Sequence, residues 1–509
     1  MSSSSRNRRR YSEFLIGTVI VFLSGCNGEF PNESNAQLDV QAESGFQDTL
    51  TVRDTSILRI RVTDSRGEVL TGIQVDWRSE NSDILELKPV EPASPSRQDS
   101  LESRLATRVI AHARGAVLVS ASIDRVGVDR AEFQATMVVR ERWLSISAGA
   151  SHTCAIASDS TAYCWGAGQT GALGNGLPID TSVPSPVLTI GGIKFLSISA
   201  GEDNTCGVNV QTVTYCWGTG LNGRLGNADP SGRSQLTPSP ISGGSTFRTV
   251  AAGRTSCGIA NDFTAQCWGD DNLLQLGFQP LPLDQLDQCG STACSLTPRA
   301  VSSTPNSYSL VDVGGVHTCA LSRSTPGQAQ CWGTGLRGAL GAGPSVASTT
   351  PIPVLGGLSF GSISAGGEHT CGIVSGNQAI YCWGNNNHGQ LGDNTPDDKD
   401  SPTPVTGSLA YGSVSAGRQH TCAIGTSGPA YCWGQDDHGQ LGDGSSGDRQ
   451  APVPISGGLT FSSLSAGDSY TCGIAVGGAA YCWGGGAFGR LGNGSANDRS
   501  EPTRISEPN

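Results

Sequence analysis

The chain has 509 residues, of which 70 are glycine and only 15% are charged. That length allows two or three domains with real cores, and the composition excludes a mostly helical or disordered protein. A net charge of −12 at pH 7 offers phosphate backbones no counterion-release gain, so nucleic acid is not an expected partner.

In chain order, Arg6, Arg8, Arg9 and Arg10 precede an apolar run from Phe14 to Leu23 that is too short to span a bilayer and reads as a targeting signal. The run ends in Leu23-Ser24-Gly25-Cys26, which resembles the lipobox of bacterial lipoproteins. The resemblance implies cleavage before Cys26, lipidation of its sulfur, and an extracytoplasmic, membrane-anchored lipoprotein of the bacterial cell envelope. Residues 1–25 are then the signal peptide, whose loss takes the charge to about −15. Setting Cys26 aside from the 17 cysteines leaves an even number and no C-x-x-C pair. In an exported chain this pattern predicts disulfides rather than zinc ligands.

Residues 26–36 are small and polar, as in a tether. From 37 to 140 the pattern is strand-like: Leu58, Ile60 and Val62 alternate with Arg59 and Arg61, and further β-rich runs follow. The order DSRGEVLTGIQVDWRSENSDILEL, then ATRVIAHARGAVLVSAS, resembles bacterial immunoglobulin-like domains. That implies a β-sandwich with Trp77 in its core and Gly67, Gly72 and Gly115 in turns, acting as a stalk or spacer.

The remainder, 143–509, is self-similar. Cysteines recur in pairs: Cys154 and Cys164, Cys206 and Cys216, Cys257 and Cys267, Cys319 and Cys331, Cys371 and Cys382, Cys422 and Cys432, Cys472 and Cys482. Successive units start 52, 51, 62, 52, 51 and 50 residues apart. Each unit reads as four short strands: one ending in a small residue and glycine, one like HTCAI, one ending CWG, and a proline-flanked last strand. Seven such units cannot each bury two faces alone, which predicts radial stacking. A hairpin turning at Ser158-Asp159-Ser160 sets Cys154 opposite Cys164, within disulfide reach, and each of the other pairs is expected to be bridged in the same way. The last strand, at 501–505, is expected to complete the first unit's blade.

The segments HTCGIVSGNQAIYCWGNNNHGQLG and HTCAIGTSGPAYCWGQDDHGQLG resemble the repeat of the regulator of chromosome condensation propeller family. The fold class expected is therefore all-β: a seven-bladed β-propeller with four-stranded blades, preceded by an immunoglobulin-like β-sandwich. Some family members promote nucleotide exchange on a small GTPase, but an exported acidic copy lacks the compartment and the basic face for it.

Chemistry is not announced by any catalytic set. Gly166-x-Gly168-x-x-Gly171 recurs as a repeat feature with no following helix, so no dinucleotide site is expected, and no cofactor or metal is assigned. His152, His317, His369 and His420 fall on separate blades and are expected to bond turns within their own blades. Asp393, Asp397, Asp398 and Asp400 read as solvated loop charge. The tryptophans after each second cysteine read as inter-blade packing. The third unit departs from the pattern, with Leu274 where others carry glycine, and holds an insertion from Phe278 to Thr297. There a bridge between Cys289 and Cys294 is expected to order a protruding tip, with Leu281, Leu283 and Leu286 as candidate contact residues.

The function expected is that of a lipid-anchored binding scaffold, monomeric, presenting propeller loops to a protein or glycan. The alternative is an envelope hydrolase or lyase with carboxylates in its channel.

Overall fold

The computed structural model describes residues 39–42, 49–53, 55–63, 75–90, 105–123, 131–188, 191–278, 289, 293–302, 307–344 and 346–508. The expected signal peptide, the tether with Cys26, the turn glycines Gly67 and Gly72, and the loop leucines Leu281, Leu283 and Leu286 lie outside these residues. The chain divides into two compact units, 1–140 and 141–509.

The first unit contains β1 (Asp39–Ala42), β2 (Thr49–Thr51), β3 (Thr55–Thr63), β4 (Val75–Ser79), β5 (Leu85–Pro89), β6 (Ala106–Ala111), β7 (Gly115–Ile123) and β8 (Ala131–Arg140). They form two four-stranded sheets, in the orders β1-β3-β6-β5 and β2-β8-β7-β4. Alternation decides which face is buried: Leu58, Ile60 and Val62 of β3 point inward while Arg59 and Arg61 are exposed. Leu58, Leu85 and Val109 of one sheet share a core with Val117, Val119 and Met137 of the other. Trp77 is only half-buried against that core, because β4 lies at the edge of its sheet.

The second unit consists of seven four-stranded antiparallel sheets, each built from one repeat in chain order. In the first blade these are β9 (Trp143–Ala148), β10 (His152–Ala157), β11 (Ala162–Gly166) and β12 (Thr181–Pro186). The prolines sit on the outermost strand, where a missing N–H costs no ladder bond. In the β10–β11 hairpin Cys154 lies directly opposite Cys164, and the two are bridged with 4.1 Å between Cα atoms. The same register and the same bridge recur in every blade. Cys206 joins Cys216 and Cys257 joins Cys267 in the second and third. Cys319 joins Cys331 and Cys371 joins Cys382 in the fourth and fifth. Cys422 joins Cys432 and Cys472 joins Cys482 in the last two. The seven pairings are those expected from the repeat, and each closure of about eleven residues is worth roughly 2–3 kcal/mol in the chain-entropy account.

The blades are pinned to one another by the tryptophans, all seven of which are fully buried. Trp217 Nε1 donates to Ala172 O of the preceding blade at 2.9 Å, and Thr205 Oγ1 donates to the same carbonyl at 2.8 Å. The Leu-Gly pair of each repeat follows from this seat: Leu173 fills the core, and a Cβ on Gly174 would come within 2.6 Å of Trp217 Nε1.

The expectation that the last strand completes the first blade is overturned. Arg499–Arg504 pairs with Ala480–Gly484 of its own repeat, and the first blade is complete without it. The seventh and first blades instead meet as the first and second do: Trp165 Nε1 donates to Arg490 O at 2.9 Å and Thr153 Oγ1 to the same oxygen at 2.8 Å. Arg490 also reaches Ala150 O and Ser469 Oγ, and Glu507 accepts the Glu141 N–H. The circuit therefore closes between sheets, and none of the sheets is shared between repeats.

Candidate functional site

Each innermost strand ends in a small residue and glycine because seven chains converge there. A Cβ on Gly366 would strike Gly417 O and the His369 ring, so only glycine fits. These turns line a cavity of about 440 Å³ at the centre of the second unit. Backbone bonds run from blade to blade around it, from Ala150 N to Gly201 O, Gly315 N to Gly366 O, Gly367 N to Gly417 O, Arg418 N to Gly467 O and Asp468 N to Gly149 O.

Two side-chain relays back this ring. In the first, the serine before the small residue accepts the next blade's N–H: Ser147 from Ala200, Ser199 from Ala252, Ser364 from Ala416, Ser415 from Ala466 and Ser465 from Ala148. In the fourth blade Asp312 takes this place and accepts from Ala365 at 2.8 Å. Burial pushes its carboxyl up to about 6, against those hydrogen bonds.

In the second relay His152, His317, His369 and His420 each set Nε2 against the next blade's threonine, Thr205, Thr370, Thr421 and Thr471, at 2.6 to 2.9 Å. This corrects the expectation that they bond turns of their own blades. The period of the repeat places each imidazole at an inter-blade seam. Burial holds His152 and His317 down to about 4, and His369 and His420 to about 3, so all four are neutral structural groups.

The functional variety of this end lies one residue further on. The residues after the small-Gly pairs include Glu202, Arg254, Glu368, Arg418 and Asp468, which border the cavity, with Asp203 beside Glu202. Arg254 grips Glu202 through two bonds, of 2.6 and 2.7 Å, and Arg418 reaches Asp468 at 3.2 Å. Burial opposes ionisation of Glu202, but the bonds and charge of Arg254 hold its carboxyl below the usual range. Burial, then the charge of Glu202, pushes Asp203 above it. The residues sequence reasoning missed are therefore these rim charges. Their signal was available: a pair of positions that varies freely inside an otherwise repeated frame.

The remaining sequence candidates are placed elsewhere. Among the described residues no cluster of His, Cys, Asp and Glu could hold a metal, and no helix is long and apolar enough to cross a membrane. Asp393 is not simply solvated: its side chain is 5% exposed, pairs with Lys399 and accepts the Asn386 and Thr395 donors that fold its loop. Asp398 accepts from Asn386 N and pairs with Arg337. Cys289 is bridged to Cys294, but Cys294 is buried as the first residue of the third blade's outer strand, Cys294–Ala300. The bridge thus ties the insertion to the blade, and residues 294–297 are needed to complete it.

A circuit of disulfide-stapled, four-stranded blades around a central cavity defines a repeat β-propeller. The repeats match the family model described as Regulator of chromosome condensation (RCC1) repeat at residues 159–208, 378–424, 427–474 and 477–509. A second model of that repeat matches at 143–172, 362–390 and 413–440. The matched stretches of the second unit are thus RCC1 repeats, and the unit has an RCC1-like propeller fold. The chain is similar to the Ultraviolet-B receptor UVR8 of Arabidopsis thaliana, at 30% identity over 56% of this chain and 63% of the receptor. It is also similar to the E3 ubiquitin-protein ligase HERC2 of Homo sapiens, at 30% identity over 56% of this chain but only 6% of the ligase. It spans less than two thirds of either relative. In fold it is similar to human WBSCR16, with a TM-score of 0.60 at 18% identity over 68% of this chain and 94% of that one. It is likewise similar to Prp20p from Saccharomyces cerevisiae, with a TM-score of 0.59 at 22% identity over 72% of this chain and 88% of that one.

Proposed function

We propose that this protein is an exported, lipid-anchored interaction scaffold in which an immunoglobulin-like module precedes a seven-bladed propeller that takes a protein partner at its charged mouth. The observation that carries the reading is the rim of Glu202, Arg254, Glu368, Arg418 and Asp468 around a cavity of about 440 Å³ lined by backbone and small residues. Such a lining offers charges and peptide groups rather than the apolar walls that small-molecule sites use, and charges of both signs suit a protein surface that must match them in register. Prp20 is described in complex with Kap60, and in its binding to Gsp1p and histones, so the fold is used elsewhere for protein partners. For the first unit, the immunoglobulin-like reading is supported by the sheet orders β1-β3-β6-β5 and β2-β8-β7-β4, in which β1-β3-β6-β5 and β8-β7-β4 follow the order of the A-B-E-D and G-F-C sheets, with β2 added at the edge beside β8. The lipid anchor rests on the arginine run, the apolar run and Cys26.

The experiment is capture of partners from intact envelopes by the parent and by an Arg254→Glu, Arg418→Glu variant. Both side chains are exposed, so the variant should fold and melt close to the parent while capturing at least tenfold less of one protein. Equal capture by a folded variant would move the binding face away from the mouth. Cys26→Ala should abolish labelling with a radioactive fatty acid, and persistent labelling would remove the anchor.

A further inference from the structure

The turn between the second and third strands of each blade, at the end opposite the mouth, contains a residue with positive φ. Ser160, Thr212, Gly327, Gln378, Gly428 and Gly478 supply it in six blades, residue types that are small, polar or free of a Cβ. The third blade has Phe263, at φ 71°. A bulky side chain in the left-handed region costs roughly 1–2 kcal/mol, and strain of this kind is a reason to look for function at the site.

Two guanidiniums converge on that ring. The Arg248 carbon lies 4.2 Å from the Phe263 centroid and the Arg323 carbon 3.4 Å. Arg248 belongs to the third blade's inner strand, Phe247–Ala251, and Arg323 follows the fourth blade's second strand, His317–Ser322, so the pair straddles the seam between these blades. The corresponding positions in the other blades hold Leu144, Leu196, Ser309, Gly361, Gly412 and Ser462 for the first, and Ser158, Val210, Asn261, Ser375, Thr426 and Val476 for the second. The two arginines are thus peculiar to this one site. Both are exposed, and among the described residues neither has an ion-pair partner. The nearest carboxylate in sequence, Asp262, spends its Oδ1 on Thr264 N and Oγ1. Although the chain carries a charge of −12, these two like charges share one phenyl ring, where a single anion could neutralise both.

The ring can attract a guanidinium from its face and leave the planar N–H edge free, and those edges match the oxygens of a tetrahedral oxyanion. We infer that Arg248 and Arg323, platformed by Phe263, form a binding site for a doubly charged phosphate or a sulfate group carried by an ester ligand. The site is separate from the mouth and does not depend on the partner proposed there.

The test is calorimetric titration of the whole protein with inorganic phosphate, and then with methyl phosphate and methyl sulfate, at ionic strength held constant with sodium chloride. Saturable binding is expected for at least one of these anions. The preference between the esters identifies the source. Arg248→Gln with Arg323→Gln should weaken binding by roughly tenfold or more without lowering the melting temperature. Phe263→Gly should relieve the backbone and still weaken binding, because the platform is gone. No saturable heat above the chloride background overturns the site, as does an isotherm unchanged in the double arginine variant. Should Phe263→Gly fail to fold, the double variant decides alone.

Discussion

The junction between the fifth and sixth blades and the junction between the third and fourth are built on the same plan but not to the same strength. At the former, His369 meets Thr421 at 2.9 Å, Ser364 accepts Ala416 N–H at 3.1 Å, and Gly367 N reaches Gly417 O at 3.1 Å. Trp433 and Thr421 both donate to Gln390 O at 2.9 Å, and His388 pairs with Asp448 across the surface at 2.7 Å. At the latter, Ala251 stands in the serine place and Thr255 in the histidine place. Neither reaches the fourth blade; Thr255 Oγ1 turns back to Asp270 O of its own blade. On the mouth side what remains is the tryptophan pin, Trp332 to Gln275 O at 2.7 Å, with Thr318 to the same oxygen and Gln275 Nε2 to Gly315 O at 3.3 Å; at the far end Tyr308 N donates to Phe263 O at 2.9 Å and Arg323 stacks on the Phe263 ring. A ring of repeats is close to a sum of neighbour interfaces, so its opening is governed by the weakest of them.

The largest effect should come from removing a pin at each junction. Trp433→Ala and Trp332→Ala both empty a fully buried seat, and each alone should cost about 3–5 kcal/mol by denaturant unfolding. The third-to-fourth junction lacks both side-chain relays, so the pin carries a larger share of its strength. Trp332→Ala should therefore lie at or above the top of that range, with loss of amide protection beginning in Tyr308–Val313. Equal midpoints and the same first-opening amides in both variants would show that the two junctions are equivalent.

Transplanting the relays should act in the opposite sense and more weakly. Ala251→Ser with Thr255→His should stabilise the protein by about 1 kcal/mol, whereas Ser364→Ala with His369→Thr should destabilise it by about 2 kcal/mol, in proportion to the bonds made or lost. The pH dependence provides a second check. Burial depresses the folded-state values of the native histidines to about 3 or 4, below the usual 6.5. The unfolded chain therefore takes up protons first, so the stability these groups lend is present in full above pH 6.5 and is lost as pH falls towards 4. A transplanted histidine in the same setting should steepen the acid loss, and His369→Thr should flatten it. Parallel pH profiles would mean that these imidazoles stay solvated.

Much of this architecture was legible because repetition turns a weak local signal into a strong one. One hairpin with two cysteines ten to twelve residues apart is ambiguous; seven in register, from Cys154 with Cys164 to Cys472 with Cys482, fix the strand pairing, the staples and the order of the blades. The relays were hidden for a related reason. The sequence shows that His369 and Thr421 each recur, but only the stacking of blades reveals that they belong to one another, and a reading confined to single repeats assigns the imidazole to its own turn. Ring closure failed to follow from sequence because a terminal strand can pair within its own repeat as readily as with the first. Side chains such as Arg490 and Tyr470, whose hydroxyl donates to His152 O at 2.7 Å, join the ends without any shared sheet. The rim charges were visible as letters but not as a site, since 52- and 51-residue spacings say nothing of distance across a cavity.

Leu274 offers the finest test of the weak junction. It occupies the turn where the first two blades have Gly171 and Gly223, and it keeps their left-handed conformation, with φ 64°. The cost of a β-carbon there is roughly 1–2 kcal/mol, and glycine would recover it less the entropy of a freer unfolded chain and the contacts of a half-buried leucine. Leu274→Gly should therefore raise stability by less than about 1 kcal/mol. The turn carries Gln275, whose carbonyl receives both Trp332 and Thr318, so relieving it should slow the opening of Tyr308–Val313 specifically and leave the exchange of the fifth and sixth blades unchanged. If Leu274→Gly instead destabilises the protein and exposes those amides, the leucine side chain is itself part of what holds the third blade to the fourth.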